Sequence, residues 1–234
     1  MKVLAVDTSG PVCGVAVLED EQVLSEYTAQ NRYTHSASLM PMVERCLESA
    51  GQSLSGMDAL AVVTGPGSFT GVRIGVATVK GLAHGSGKPC IAVNALEALA
   101  VSTGNMDSKD GLICPIQDAR AGQVYGAVFN GGRRLTEDSA LKLEDYLQLA
   151  GGMAPGRCLF TGDGVRAHRE RIREIMGERA VFTEAPFSFL RPSAAGLLAI
   201  RKGGMTDYLH LKEYYLRPPN AEKNKKLLEA MRHG

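Results

Sequence analysis

One short pattern occurs twice in this chain. Asp7 closes an apolar stretch at 3–7, and seven residues later Gly14-Val15-Ala16-Val17 opens another. Asp118 closes a similar stretch at 112–118, and eight residues later comes Gly126-Ala127-Val128-Phe129. Further on, Val63-Thr64-Gly65-Pro66-Gly67 is echoed by Phe160-Thr161-Gly162-Asp163-Gly164. Each copy places an acid at a strand-to-strand turn and, later, a Gly-x-Gly turn where a strand passes into a helix. Agreement in order, spacing and element type points to a duplicated α/β unit.

The periodicities extend that reading. Residues 3–7, 13–18 and 23–28 read as strands joined by the turns Ser9-Gly10-Pro11 and Glu19-Asp20-Glu21, an antiparallel meander. Leu39, Met40, Val43, Cys46 and Leu47 fall at helical spacing over 36–50, with Pro41 expected in the first turn or at a kink. A strand at 59–64, a helix at 70–84, a strand at 90–93 and a helix at 95–102 give the order βββαβαβα. A polar stretch at 103–111 divides the chain into units 1–106 and 107–216, followed by a tail at 217–234. In the second unit strands are predicted at 112–118 and 124–129, then a turn at Asn130-Gly131-Gly132 and a strand at 134–139. A helix at 143–150, a strand at 158–161, a helix at 165–176, a strand at 180–183 and a helix at 193–202 complete it.

Composition narrows the function. Among 234 residues, 26 basic side chains against 25 acidic ones leave a net charge of +1, so the chain as a whole lacks a basic footprint for gripping a phosphate backbone. The absence of Trp and an aromatic content of 6% argue against a stacking platform for single strands. The apolar start is too short for a signal peptide, and no apolar run has the length of a membrane span. Five cysteines lie far apart with no Cys-x-x-Cys pair, and read as reduced, buried thiols of a cytoplasmic protein.

The repeated turns have candidate chemistry. Asp7, Thr8 and Ser9 offer hydroxyls and N–H groups to a phosphate, and a carboxylate to a bridging Mg²⁺. An Asp118-Ala119-Arg120 loop would face them across a cleft. Gly65, Gly67 and Ser68 lead into a helix N-terminus, which attracts anions, and Gly162, Asp163 and Gly164 repeat that arrangement. No Lys-Ser or Lys-Thr follows, so this is not a Walker loop, and the same residues also serve as plain turn and cap residues. The two long helices suggest a subunit seam. Leu39, Met40, Met42, Val43, Cys46 and Leu47 form an apolar arc too broad for one buried stripe, and Gly71, Gly75, Ala77, Thr78 and Gly81 would admit a neighbouring helix closely. An arginine at Val43 or Gly75 is therefore expected to break the contact.

Leu4-Ala5-Val6-Asp7-Thr8-Ser9, the long run Gly65-Pro66-Gly67-Ser68-Phe69-Thr70-Gly71-Val72-Arg73-Ile74-Gly75, Asp118-Ala119-Arg120 with Val124-Tyr125, Gly162-Asp163-Gly164 and Tyr215-Leu216-Arg217 together resemble the TsaB (YeaZ) family. That resemblance implies a two-lobed actin-like (ASKHA, ribonuclease-H-like) α/β fold of duplicated βββαβαβα units with mixed sheets. It implies a noncatalytic scaffold and activator of the bacterial tRNA N6-threonylcarbamoyladenosine transferase complex, which acts on tRNAs reading codons that begin with A. The partners implied are a catalytic TsaD-like subunit, a TsaE-like ATPase and, in their absence, a second copy of the chain. Transfer RNA would be reached only through the complex and no membrane is involved. The seam would comprise His35, Leu39, Met40, Met42, Val43, Cys46 and Leu47 with Thr70, Gly71, Arg73, Ile74, Gly75 and Thr78. No cofactor is required by this chain, with ATP or ADP expected at the complex interface.

Departures from the pattern bear on chemistry. The catalytic paralogue carries a metal-binding His-x-x-x-His pair on its first long helix, whereas here His35 is followed four residues later by Leu39. No metal site is therefore expected, and His84, His168, His210 and His233 read as scattered and solvated. Ala121 and Gln123 stand where the family has a larger residue and an acid. The tail has five basic and two acidic residues, which suits a solvated helix or a small contribution to tRNA or partner binding. Two rival functions remain: an ATP-dependent phosphotransferase with Asp7 and Asp118 on the phosphates, and an independent tRNA-binding module.

Overall fold

Strand β1 (Lys2–Asp7) organises the first half of the molecule. Val3, Leu4, Ala5 and Val6 are wholly buried, as expected of a strand covered on both faces. It runs antiparallel to β2 (Cys13–Glu19), which pairs with β3 (Gln22–Ala29), and parallel to β4 (Ala59–Gly65). Beyond β4 lies parallel β5 (Cys90–Asn94). The computed structural model describes residues 1–30, 33–104, 111–153 and 155–217. One face of this sheet is covered by α1 (His35–Ser49) and α2 (Phe69–Ser86), which contribute Leu39, Val43, Cys46, Val72, Val76, Val79 and Ala83 to a common core. Pro41 falls in the second turn of α1, on its exposed side. Helix α3 (Ala95–Ser102) follows β5, capped by Asn94, whose Oδ1 accepts the Glu97 N–H at 3.0 Å.

The second half contains β6 (Gly111–Asp118), β7 (Gln123–Gly126), β8 (Phe129–Asn130), β9 (Arg133–Arg134), β10 (Ser139–Lys142), α4 (Leu143–Met153), β11 (Arg157–Thr161), α5 (Asp163–Met176) and β12 (Ala180–Phe182). Its sheet runs β10-β7-β6-β11-β12, with β6, β11 and β12 parallel. The single strand predicted at 124–129 is broken into β7 and β8. The Tyr146 ring packs where a side chain at Gly126 would stand, and its hydroxyl donates to the Ala127 carbonyl at 2.8 Å. The strand predicted at 134–139 likewise divides into β9 and β10, and it is β10 that pairs with β7.

The last described helix departs from its expected place in the second unit. Helix α6 (Pro192–Lys202) does not complete the second unit but packs on β1 and β2 of the first. Gly196 lies against Leu18 and Ala5, and Ala195, Leu198 and Ala199 join the core beside Val3, Ala5, Ala16 and Leu18. The start of α6 is anchored by Glu26, which pairs with Arg191 and accepts from Ser193 N at 3.0 Å and Ser193 Oγ at 2.7 Å. Burial alone would raise the Glu26 carboxyl, but these hydrogen bonds outweigh it and hold it below its ordinary range. A strand missed in the sequence, β13 (Met205–Thr206), then extends the first sheet antiparallel to β5. Residues 192–215 thus return to the first half. The expected boundary at 106/107 and the tail beyond Arg217 lie outside the described residues.

Candidate functional site

The Asp7 turn is built to be covered. The Asp7 carboxylate, 2% exposed, accepts the Ser9 N–H at 2.8 Å, Thr8 Oγ1 donates to the Gly71 carbonyl at 2.7 Å, and Ser68 N–H donates to Ser9 O at 2.7 Å. These bonds draw the N-terminus of α2 down on the turn. A Cβ on Gly67 would strike the Ser9 carbonyl, one on Gly71 the Thr8 carbonyl and one on Gly75 the Thr8 hydroxyl. The close approach therefore depends on glycine at each of these positions. Burial lifts the Asp7 carboxyl to about 6, although the hydrogen bond from the Ser9 N–H and nearby His35 pull the other way. His35 stands at the first residue of α1, and its Nε2 is 2.9 Å from the Gly10 carbonyl, placed to donate to it.

The second turn is open. Asp118 accepts the Arg120 N–H at 2.9 Å with its side chain 39% exposed, and Arg120, Ala121 and Gly122 have φ of 63°, 51° and 69°. Asp163 begins α5; burial first, and the charge of Asp118 second, raise its carboxyl to about 6. Gly162 and Gly164 let the start of α5 lie against the backbone of Ile116 and Gln117. Gln117 Oε1 and Ser9 Oγ are buried and have no hydrogen-bond partner among the described residues.

Between the turns lies a cleft of about 610 Å³. Of the sequence candidates, Ser9, Gly67, Ser68, Asp118, Arg120 and Asp163 line it, together with His35 and Thr70 of the expected seam. Asp7, Thr8, Gly65, Gly162 and Gly164 do not line it. Sequence reasoning missed one residue beside Asp118 and one segment of the cleft. His168 is not solvated: its Nε2 is buried 3.9 Å from Asp118 Oδ1 and has no hydrogen-bond partner among the described residues. Its position one turn after the Gly-Asp-Gly motif was the available signal. The other is the segment after β13, which crosses the cleft mouth with Tyr214, Tyr215, Leu216 and Arg217. Tyr214 N–H donates to Thr64 O at 2.8 Å, and Arg217 reaches the Ala119 carbonyl at 3.4 Å. Tyr215 packs on Phe69 at 4.9 Å and accepts from Arg73 Nε at 3.1 Å. Among the described residues no group of three His, Cys, Asp or Glu side chains converges as a metal would require.

The expected seam divides into two sets. Leu39, Val43 and Cys46 are at most 2% exposed and face the chain's own sheet, as do Gly71 and Gly75, so an arginine at Val43 or Gly75 would disrupt the core. The outward set consists of Met40 on α1 and Thr70, Arg73, Ala77 and Gly81 on α2, flanked by half-buried His35, Met42, Leu47, Ile74 and Thr78.

Residues 22–200 match the family described as TsaD: tRNA N6-adenosine threonylcarbamoyltransferase. The Bacillus subtilis protein named tRNA threonylcarbamoyladenosine biosynthesis protein TsaB is 34% identical over 223 residues, covering 91% of this chain and 96% of its own. The chain belongs to the TsaB (YeaZ) family. The structure of YeaZ from Pseudomonas aeruginosa superposes with a TM-score of 0.75 at 29% identity, covering 92% of this chain and 99% of that one. Component A of the Acidaminococcus fermentans (R)-2-hydroxyglutaryl-CoA dehydratase aligns with a TM-score of 0.53 at 11% identity over 86% of this chain and 98% of its own. That likeness concerns the fold, and places this TsaB-family chain in the two-lobed actin-like class.

Proposed function

We propose that the chain serves tRNA N6-threonylcarbamoyladenosine synthesis as a noncatalytic cytoplasmic subunit, carrying a TsaD-like catalytic partner on the outer face of α1 and α2. The observation that carries this reading is the separation of those helices into two faces. Their inward residues are spent on the chain's own core, yet the outward side still presents Met40 and Ala77, bordered by the half-buried Met42 and Ile74 and with open space above Gly81. A surface of small and flexible apolar side chains lets a partner helix approach closely and repack. The name of the B. subtilis relative supports the process, and the match to the TsaD family supports a partner of related fold. The noncatalytic role is supported by α1 itself: His35 is engaged with Gly10, and Leu39, one turn on, is core. In this reading tRNA is held through the partner, a TsaE-like ATPase joins the pair, any ATP or ADP sits at the complex interface, and free chains pair through the same face.

Ala77→Arg and Gly81→Arg test this without touching the core. Each should leave the melting temperature near the parent value and weaken co-purification with the TsaD-like subunit by about 100-fold, because the new charge is buried without a counterpart. Unchanged co-purification overturns the assigned face. ATP hydrolysis by the purified chain, abolished by Asp7→Ala, overturns the noncatalytic role and favours the phosphotransferase.

A further inference from the structure

The two halves meet at a second place, away from the α1 and α2 face. At the junction of β5 and α3, Asn94 donates from Nδ2 to Asp138 and accepts from Arg134 Nη2 at 3.1 Å, so one amide of the first half is gripped by two side chains of the second. Arg134 also pairs with Asp138, whose carboxylate is only 3% exposed, and lies 3.9 Å from Glu97. Glu97 in turn pairs with Lys202 of α6 at 2.6 Å. The node thus joins β5, α3, the loop between β9 and β10, and α6.

We infer that this node, centred on Asn94, Arg134 and Asp138, is a clamp that fixes the angle between the halves and so holds the cleft at one aperture. Three observations support it. Arg134 stands 3.9 Å from Glu97 of the first half, a charge contact that crosses the junction, while its pairing with Asp138 stays within the second half and holds it in place to make that contact. The amide uses both its oxygen and its nitrogen across the junction, so a rotation of either half breaks two bonds at once. The segment across the cleft mouth provides a second tie, since Tyr214 is bonded to Thr64 of the first half and Arg217 to Ala119 of the second, and the Tyr214 hydroxyl lies beside the same Asp138. The inference does not depend on which partner the chain binds.

Electron-spin distance measurements on the full chain test it. Spin labels on Glu44→Cys and Glu170→Cys sit on exposed positions of opposite halves, while the five native cysteines are buried. The parent should give one narrow distance distribution. Arg134→Met removes the guanidinium, which also lies 4.8 Å from the centre of the Phe129 ring, and should broaden the distribution about twofold or add a second distance, with an unchanged far-ultraviolet spectrum. Asp138→Asn is the second variant and should act the same way. Parent-like distributions in the folded variants overturn the clamp.

Discussion

The two repeated turns are alike in sequence and opposite in exposure. Asp7 is buried and Asp118 is 39% exposed, although each ends a central strand and accepts a hydrogen bond from the N–H two residues on. The difference lies in where the following helix lands. In the first half the glycines of the α2 turn rest on Thr8 and Ser9, just past the acid; in the second, Gly162 and Gly164 rest on Ile116 and Gln117, just before it. A shift of about three residues along the strand end decides whether a carboxylate becomes core or wall. Duplication preserved the motif, and the helix seating set its role.

The largest effect should come from unseating α2. Gly71→Ala drives a methyl into the Thr8 carbonyl and should cost about 3 kcal/mol or more, whereas Gly164→Ala, whose nearest neighbours are 3.1 Å away, should cost about 1 kcal/mol in urea unfolding. The reverse order would break the comparison. Next comes the buried acid itself. Because the folded-state value of Asp7, about 6, exceeds the unfolded 3.8, the folded chain keeps a proton that the unfolded chain releases, so stability falls as pH rises between about 4 and 6. Asp7→Asn removes that loss and should stabilise the protein by about 2 to 3 kcal/mol at pH 8 and by little at pH 4, read from melting curves at both values. A destabilised variant at pH 8 would show that the charge has a partner worth more than its burial cost. The smallest effect is expected at the open turn: Asp118→Ala loses one exposed hydrogen bond and should cost about 1 kcal/mol or less. A loss matching that of Gly71→Ala would mean that both turns carry structural load.

Much of the first half was legible because its signals are local. The helix expected at 70–84 is Phe69–Ser86, the one at 36–50 is His35–Ser49, and the order of the first eight elements matches. Local pattern fails where a neighbour distant in sequence decides. The apolar arc of α1 does not record whether the sheet or a partner covers Val43 and Cys46. Nothing in Pro192 to Lys202 says which sheet it joins, since an Ala-rich face fits either. Two-residue strands such as β13 carry no period. The cleft was read through its repeated acids, but its mouth is made by Tyr214 and Arg217, held by backbone groups that any sequence supplies.

The return of α6 to the first sheet has a consequence for biosynthesis. Until residue 202 has left the ribosome, Val3, Ala5, Ala16 and Leu18 face solvent on the side that α6 will cover. The nascent first half therefore waits, with an apolar sheet face uncovered, while the second half is translated and collapses beside it. Nearly two hundred residues separate β1 from its cover, which makes closure slow and leaves the unfinished chain prone to association. A chain ended near residue 106 would lack that cover, so the amino-terminal half is completed only by a helix made after the second half.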